Sequence, residues 1–204
     1  MNDTENLNPP AVLAAILADP AAIDFQMLSE PLTGALLRSL CASKPGGRFL
    51  ELGTGTGAAT AWMLDGMDAQ STLLTVDSEA AWVAIAQKHL AADPRVVFHV
   101  QDGGEFLETL AQQGQSFDLI FADTWPGKYT HLDLALSLVK PSGLYIVDDM
   151  LPQANWPAGH ALKVAALIAD LEQRDEWAIA KLSWASGLLL ATRRPLLSVP
   201  SERR

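Results

Sequence analysis

The chain has 204 residues, of which 49% are hydrophobic, and this length predicts a single domain with a full hydrophobic core. Its 24 acidic and 14 basic side chains give a formal net charge of −10, which disfavours a long nucleic-acid backbone as the main partner because such binding needs clustered cations. A lone cysteine, Cys41, excludes an internal disulfide and a thiolate zinc cluster and favours a reducing cytoplasm.

The N-terminal part of the sequence predicts accessory helices ahead of the main fold. Residues 1–10 are polar and acidic, unlike a secretory signal, and the apolar residues 11–18 are too few to span a bilayer. Helical patterns cover residues 11–17 and 31–43, and the second pattern starts with proline at a first-turn position. We therefore expect one domain over residues 1–204, divided into accessory helices over 1–45, a core over 46–194 and a tail over 195–204.

A short apolar run, Arg48–Leu52, carries a carboxylate near its end and is followed by three alternating glycines, Gly53, Gly55 and Gly57. The apolar residues suit a buried parallel strand, and the glycines let the backbone turn sharply and approach a ligand without Cβ clashes. Residues 58–63 continue as a helix whose free N–H groups face whatever the loop holds. The pattern predicts a nucleotide-type ligand site.

Four more strand-like runs follow, and helical patterns separate them. The clearest helix covers residues 79–91, which Ser78 can cap. Alternating strands and helices imply right-handed crossovers and a parallel sheet covered on both faces, which is a doubly wound α/β fold. The four runs are residues 71–76, Val96–Val100, Phe117–Ala122 and residues 144–147.

The C-terminal part adds a helix over residues 160–173 and two strand-like runs, 177–184 and 187–192. The connection between these two runs is so short that it requires an antiparallel pair. We therefore expect a seven-stranded, mostly parallel sheet with an antiparallel C-terminal strand and helices on both faces.

Two ligand families use such a glycine loop. Read permissively, Gly53, Gly55 and Ala58 fit the dinucleotide fingerprint. The stretch E-x-G-x-G-x-G, with Glu51 inside the strand end, resembles instead the first motif of class I S-adenosylmethionine (SAM) methyltransferases, whose fold also has the antiparallel terminal strand. The resemblance implies that Glu51 faces the ammonium group of SAM and that the cofactor lies along Gly53, Thr54, Gly55 and Gly57.

Two further strand ends carry candidate cofactor residues. Asp77 and Ser78 follow the second strand-like run, where the resemblance implies a carboxylate that accepts hydrogen bonds from both ribose hydroxyls. Asp102 and Gly103 follow the third run and resemble the position whose carboxylate meets the adenine amino group. Structural alternatives stay open, since Asp77 could be a helix-start acid and Asp102 a turn aspartate.

The ends of the fourth and fifth runs resemble the catechol O-methyltransferase family, which includes caffeoyl-CoA and bacterial metal-dependent O-methyltransferases. The resemblance lies in Asp123-Thr124-Trp125 and in Asp148-Asp149. In that family an aspartate after the fourth strand and an Asp-Asn pair after the fifth hold a divalent cation, which implies Mg²⁺ or Mn²⁺ on Asp123, Asp148 and Asp149. Trp125 is predicted to line the cofactor site or a planar substrate.

The sequence departs from this family at two positions. Asp149 stands where the family has asparagine, which adds a negative charge, and Pro126 stands where the family commonly has a lysine near the transferring proton. Lys128 lies two residues further on. We take Asp123, Asp148 and Lys128 as the candidate catalytic residues, and the clustered carboxylates could also act as a general base without metal.

We predict a cytoplasmic, SAM-dependent methyltransferase that acts on a hydroxyl oxygen of a small acceptor such as a phenol. No membrane partner is expected, a nucleic-acid partner is disfavoured, and a homo-oligomer is compatible with the sequence. Three alternatives stay open: an inactive SAM-binding relative that acts through a partner protein, an NAD-linked oxidoreductase, and an RNA methyltransferase of the same fold.

Overall fold

The computed structural model describes residues 2–22, 25–154 and 156–195, and a seven-stranded sheet forms its centre. The strands are β1 (Arg48–Leu52), β2 (Thr72–Asp77), β3 (Val96–Val100), β4 (Phe117–Ala122), β5 (Val139–Val147), β6 (Trp177–Leu182) and β7 (Leu188–Arg193). Their order is β3-β2-β1-β4-β5-β7-β6. The first five strands pair in parallel, and β7 is antiparallel to both β5 and β6. The predicted fold class is confirmed.

Helices fill the connections between the strands and precede the sheet. They are α1 (Leu13–Leu17), a 3₁₀ helix (Pro20–Ala22), α2 (Pro31–Ala42), α3 (Ala58–Gly66), α4 (Ala80–Leu90), α5 (Gly103–Gln112), α6 (Leu132–Ser137) and α7 (His160–Glu172). Within the described ranges no helix is long and apolar enough to cross a membrane. The predicted tail lies outside the described residues from residue 196 onward.

The two faces of β1 bury against different helices because side chains alternate along a strand. Leu50 and Leu52 are fully buried in a core that includes residues of α5, α6 and α7. Phe49 points to the other face, into a core formed with α2, α3 and α4. The apolar run of β1 is therefore covered on both sides, as parallel sheets require.

Strand β5 begins five residues earlier than the sequence pattern predicts. Pro141 and Gly143 are poor strand residues, so the apolar pattern alone starts at Leu144. The pairing with β4 shifts register between Phe117 and Leu119, and this irregularity accommodates the extra residues while Val139 still pairs with Phe117.

The sheet topology fixes where a ligand can bind. The strand order reverses between β1 and β4, and ligands of such sheets bind outside the carboxyl ends of the strands at that point. The glycine loop, residues 53–57, follows β1. Asp77 ends β2, Asp123 follows β4, and Asp148 follows β5. All of these positions lie at one edge of the sheet.

A close contact between α2 and α3 provides a test of how the N-terminal accessory helices pack against the core. A Cβ atom on Gly34 would lie 2.3 Å from Cδ1 of the buried Trp62 ring. We expect Gly34→Ala to lower the free energy of unfolding, because overpacking of about 1–3 kcal/mol outweighs a helix-propensity gain of about 1 kcal/mol. Urea denaturation measures the change.

The double variant Gly34→Ala/Trp62→Leu is the control for that contact. Removing the ring should relieve the clash, so the two changes together should cost less than the sum of the single variants. A Gly34→Ala variant as stable as the parent would contradict the packing described for α2 and α3.

Candidate active site

The glycine loop after β1 adopts a backbone that L-residues with side chains rarely take. Gly53, Gly55 and Gly57 have φ angles of 102°, 50° and 91°. A Cβ atom on Gly53 would lie 2.7 Å from the carbonyl oxygen of Asp123, so glycine allows the ends of β1 and β4 to meet. A Cβ on Gly57 would lie 2.9 Å from Cβ of Ala86, so this glycine serves the packing of α3 on α4.

A cavity of about 220 Å³ lies over this loop, and we call it the glycine-loop cavity. Six of the residues predicted to bind the cofactor line it: Gly53, Thr54, Gly55, Asp77, Ser78 and Asp123. The cavity wall also contains residues without a predicted role in cofactor binding: Phe25, Ser29, Thr56, Ala59, Glu79, Trp82 and Thr124. The loop and the end of β2 therefore form one ligand-sized space.

Asp77 connects the glycine loop to the start of α4. Its Oδ2 accepts a hydrogen bond from the Gly55 amide at 2.9 Å, and its Oδ1 accepts one from the Glu79 amide at 3.0 Å. The carboxylate still lines the cavity, so each oxygen keeps further acceptor capacity toward a ligand.

Two aromatic residues cover the glycine loop, and sequence reasoning missed both. The rings of Phe25 and Trp82 are 5.1 Å apart, and a Cβ on Gly55 would lie 2.7 Å from Cζ of Phe25. Trp82 lies in the first turn of the helix that follows Asp77, and this position was an available signal because the start of that helix faces the same edge. Phe25 precedes α2 and carried no such signal.

Glu51 does not line the glycine-loop cavity, and its contact with the SAM ammonium group stays a prediction. Its side chain lies on the face of β1 that meets α3, and it is 0% exposed. Its Oε2 accepts hydrogen bonds from the hydroxyls of Thr60 and Thr75, each at 2.6 Å, while its Oε1 has no partner among the described residues. Burial raises the pKa of Glu51 to about 8.

Asp102 and Gly103 also lie outside the cavity wall, in contrast to the predicted adenine contact. Asp102 caps α5, since its Oδ1 accepts hydrogen bonds from the amides of Gly104 at 2.8 Å and Glu105 at 3.0 Å. A Cβ on Gly103 would lie 3.2 Å from Pro126, so this glycine admits a neighbouring loop. Asp102 therefore serves as the cap of α5, and its contact with adenine stays a prediction.

A second cavity of about 390 Å³ contains the acidic residues, and we call it the acidic cavity. It shares Met27, Leu28, Ser29 and Asp123 with the glycine-loop cavity, so the two spaces meet. Its other lining residues are Gln26, Glu30, Asp148, Asp149, Gln153, Trp156, Pro157, His160 and Ser186. The structure thus brings together the three predicted carboxylates beside the predicted cofactor site.

Asp148 is the most deeply buried of these three carboxylates. Its Oδ1 accepts hydrogen bonds from the Ser186 hydroxyl and, at 2.7 Å, from the Asp149 amide, whereas its Oδ2 accepts none from the described residues. Burial raises the pKa of Asp148, and the charge of Asp123 raises it further. Burial raises the pKa of Asp123 as well, although the neighbouring Lys128 acts in the opposite direction.

Lys128 reaches this cluster despite its displacement from the family position. Its Nζ lies 3.2 Å from Oδ1 of Asp123 and 3.8 Å from Oδ2 of Asp149, and its side chain is 4% exposed. Burial lowers the pKa of Lys128, but the surrounding carboxylates act more strongly and raise it overall, which keeps the group charged. Lys128 lies in a tight turn that directs its side chain inward. In this turn the Gly127 amide donates a hydrogen bond to the Thr130 carbonyl at 2.7 Å.

The carboxylates in this arrangement do not fit a divalent cation. Over residues 2–22, 25–154 and 156–195 no group of three histidine, cysteine, aspartate or glutamate side chains is placed to hold a metal ion. The Lys128 ammonium lies between Asp123 and Asp149, and Oδ1 of Asp148 is directed to Ser186. Oxygen ligands of the right chemistry are present, but a cationic group already lies among them.

Aromatic side chains surround His160 at the outer side of the acidic cavity. Its ring lies 4.6 Å from Trp156 and 5.2 Å from Tyr129, whose hydroxyl is 3.1 Å from Nε2. Trp125 lies 6.0 Å from His160 and lines neither of the two cavities, and its role in cofactor binding stays a prediction. Trp156 does line the acidic cavity.

The chain is similar in sequence to known methyltransferases. A family model described as "Methyltransferase domain" matches residues 50–150. A protein of Mycobacterium avium (strain 104), provisionally named an O-methyltransferase, is 29% identical over 202 residues, covering 92% of this chain and 88% of that protein. A catechol O-methyltransferase of Niastella koreensis is 31% identical over 121 residues, covering 57% of this chain and 53% of that protein.

Solved structures share the fold. The O-methyltransferase from Bacillus cereus, in complex with S-adenosylhomocysteine, has a TM-score of 0.78 at 20% identity and covers 90% of each chain. The O-methyltransferase TomG from Streptomyces achromogenes, in complex with SAM, has a TM-score of 0.77 at 22% identity over 90% of each chain. The fold and the matching family model define a class I SAM-dependent methyltransferase. The relatives described above, to which the chain is similar, are named as O-methyltransferases.

The raised pKa of Glu51 predicts a pH dependence of stability. The ordinary pKa is 4.5 and the folded value is about 8, so between these values the folded state binds the additional proton. This contribution to the free energy of unfolding is present below about pH 4.5 and is lost as the pH rises through 8. Glu51→Gln mimics the protonated form, so the variant should be more stable than the parent at pH 9 and similar at pH 5.

Denaturation in urea at both pH values measures this difference. Glu176→Gln, at an exposed position, is the control and should follow the parent at each pH. If Glu51→Gln loses stability with rising pH as steeply as the parent, the buried proton does not belong to Glu51.

Asp77 and Asp102 make a matched pair for testing the cofactor site. Asp77→Ala should weaken SAM binding by about 1–3 kcal/mol, because a charge-assisted acceptor in the cavity is lost. Asp102→Ala should leave the SAM affinity unchanged while lowering stability by about 1 kcal/mol through loss of the α5 cap. Isothermal titration calorimetry with SAM distinguishes the two variants. If both lose the same SAM affinity, Asp102 contributes to cofactor binding after all.

Proposed function

We propose that this methyltransferase transfers the methyl group of SAM to a hydroxyl oxygen of a small acceptor that binds in the acidic cavity. The observation that carries the proposal is the junction of the two cavities at Asp123 and Ser29. A cofactor in the glycine-loop cavity would have its reactive end near that junction, beside the buried carboxylates. The names of the relatives agree with transfer to oxygen.

The chemistry of the transfer requires an acceptor oxygen, a cofactor sulfur and a place for one proton. The oxygen attacks the methyl carbon in line with the carbon–sulfur bond, the new C–O bond forms, and the electron pair of the broken bond stays on sulfur. S-adenosylhomocysteine leaves as a neutral thioether. The hydroxyl proton must pass to a base, since a deprotonated oxygen is the better nucleophile.

Asp148 is the residue we assign to that proton. Its Oδ2 makes no hydrogen bond with the described residues, and the side chain lines the acidic cavity. Because burial raises its pKa, the carboxylate has a higher proton affinity than an exposed aspartate. Ser186 and the Asp149 amide hold Oδ1 in place, which leaves Oδ2 directed to an acceptor.

A planar phenolic acceptor suits the remaining walls of the acidic cavity. Trp156 and Pro157 provide apolar surface, and Gln153 and His160 add polar groups beside it. Aromatic walls with a few polar groups favour a flat molecule that carries hydroxyls. The name of the catechol O-methyltransferase relative agrees with an acceptor of this class.

The family resemblance adds a divalent cation on Asp123, Asp148 and Asp149. A bound Mg²⁺ or Mn²⁺ would lower the pKa of the acceptor hydroxyl and orient it. In the arrangement described above the ammonium group of Lys128 lies among these carboxylates, so we derive no step through a metal.

The other expectations concern the setting of the enzyme. A cytoplasmic location stays a prediction, composition disfavours a nucleic-acid partner, and a homo-oligomer is compatible with the sequence. An RNA methyltransferase of the same fold is the second candidate function, and the net charge of −10 disfavours it.

Asp148→Asn tests the proposed proton acceptor. The variant keeps the shape and the hydrogen-bonding oxygen but loses the basic group, so turnover should fall about 100-fold or more. SAM affinity should stay within about twofold, because the cofactor is bound mainly by the glycine loop and Asp77. The measurement is S-adenosylhomocysteine release from a panel of catechols and other phenols, with SAM affinity measured by calorimetry.

Asp118→Asn is the matched control for this variant. Asp118 lies at the opposite end of β4, where it pairs with Lys140 at 2.7 Å, and its change should leave turnover unaltered. Unchanged turnover in Asp148→Asn would show that Asp148 is not the base. SAM binding without any S-adenosylhomocysteine release from the parent would reject the acceptor class.

A further inference from the structure

We propose that the ammonium group of Lys128 takes the place of a divalent cation in the acidic cavity, so that the acceptor site is built to work without metal. This inference rests on the proposed function only in treating the cavity as the acceptor site. It gives Lys128 a positioning role, since the ammonium would act by neutralising and orienting Asp123 and Asp149.

The position of the ammonium carries the first part of the argument. Nζ lies 3.2 Å from Asp123 and 3.8 Å from Asp149, two of the three carboxylates that the family resemblance assigns to a metal. The third, Asp148, has its Oδ1 occupied by Ser186 and the Asp149 amide. A positive charge therefore already lies between the residues that would otherwise converge on a cation.

The local backbone holds this lysine firmly. Gly127 has a φ angle of 90°, and a Cβ there would lie 2.7 Å from Cδ1 of Leu52 and 2.9 Å from the Tyr145 hydroxyl. The same hydroxyl donates a hydrogen bond to the Gly127 carbonyl. Because the turn packs against buried residues of β1 and β5, Lys128 enters the cavity from a fixed point and its side chain is almost wholly buried.

The two departures from the family pattern compensate each other in space. Pro126 removes the lysine at the family position, and Lys128 returns an ammonium group two residues later. Asp149 replaces a neutral asparagine, and its added carboxylate faces that ammonium. Asp149 also has a φ angle of 62°, a backbone state that asparagine and aspartate tolerate better than most residues.

Charge repulsion explains why this arrangement disfavours a metal. A divalent cation on Asp123 or Asp149 would lie within a few ångströms of the Lys128 ammonium, and like charges at such distances repel strongly in a partly desolvated site. Removing the ammonium leaves three carboxylates without a neutralising charge. The same residues should then attract a divalent cation, because they offer hard oxygen ligands.

Manganese binding tests the inference directly. Mn²⁺ is titrated into the full-length parent, Lys128→Met and Lys128→Arg, and free Mn²⁺ is followed by electron paramagnetic resonance. The parent and Lys128→Arg should bind Mn²⁺ weakly, and Lys128→Met should gain one site that is about tenfold tighter or more. Adding Asp123→Asn to Lys128→Met should abolish the gain, which would locate the new site in the acidic cavity.

Lys140→Met is the matched control, because Lys140 also pairs with an aspartate, Asp118, far from the cavity. It should bind Mn²⁺ as weakly as the parent. One equivalent of tightly bound Mn²⁺ in the parent would overturn the inference. So would a Lys128→Met variant that folds, as judged by circular dichroism, and gains no site.

A second measurement uses only the parent and covers the case in which Lys128→Met fails to fold. S-adenosylhomocysteine release with any active acceptor should be unchanged in excess EDTA, and loss of turnover that Mg²⁺ or Mn²⁺ restores would overturn the inference. Failure of the proposed function is distinguishable, because it would appear as absence of turnover under all conditions while the Mn²⁺ titrations still report on Lys128.

Discussion

The close approach of Gly53 to the backbone of Asp123 is the constraint on which the site depends. It brings the carboxyl ends of β1 and β4 together at the point where the strand order reverses. A side chain at this position would separate the two loops, and with them the two cavities that meet at Asp123. The glycine-loop cavity and the acidic cavity are adjacent because a glycine with a φ angle of 102° allows the chain after β1 to approach Asp123.

Carboxylates at the end of this sheet are each accompanied by specific partners. Glu51 accepts hydrogen bonds from two threonine hydroxyls, and Asp77 accepts them from two backbone amides. Asp148 accepts hydrogen bonds from a serine hydroxyl and a backbone amide, and Asp123 pairs with Lys128. Burial without such partners would be costly for charged groups. The partners differ. The buried Glu51 has a raised pKa, whereas Asp148 lines the acidic cavity with one oxygen that accepts no hydrogen bond from the described residues.

In the acidic cavity, a lysine at a shifted sequence position still places its positive charge among the carboxylates. Lys128 is separated from the family's lysine position by two residues, yet the turn around Gly127 returns its ammonium to Asp123. The additional carboxylate of Asp149 lies on the other side of the same ammonium. An electrostatic balance of this kind is a property of the folded site, because the residues involved come from two strand ends.

The sequence by itself predicted the fold class and a glycine loop after β1, and that loop lines a cavity in the structure. Apolar runs, glycine spacing and strand-end acids are local signals, and local signals specify local structure. They located Gly53, Gly55, Asp77 and Asp123 in the cavity wall. They also placed the two C-terminal strands as an antiparallel pair, because a short connection permits no other pairing.

Only the tertiary structure decided which acids line the two cavities. Strand alternation turned Glu51 toward α3, a helix cap occupied Asp102, and the turn after Pro126 brought Lys128 into the cluster. Phe25 entered the cavity wall from a segment without a recognisable motif. The physical reason is the same in each case: the direction of a side chain depends on which neighbouring element buries it, and that neighbour is distant in the sequence.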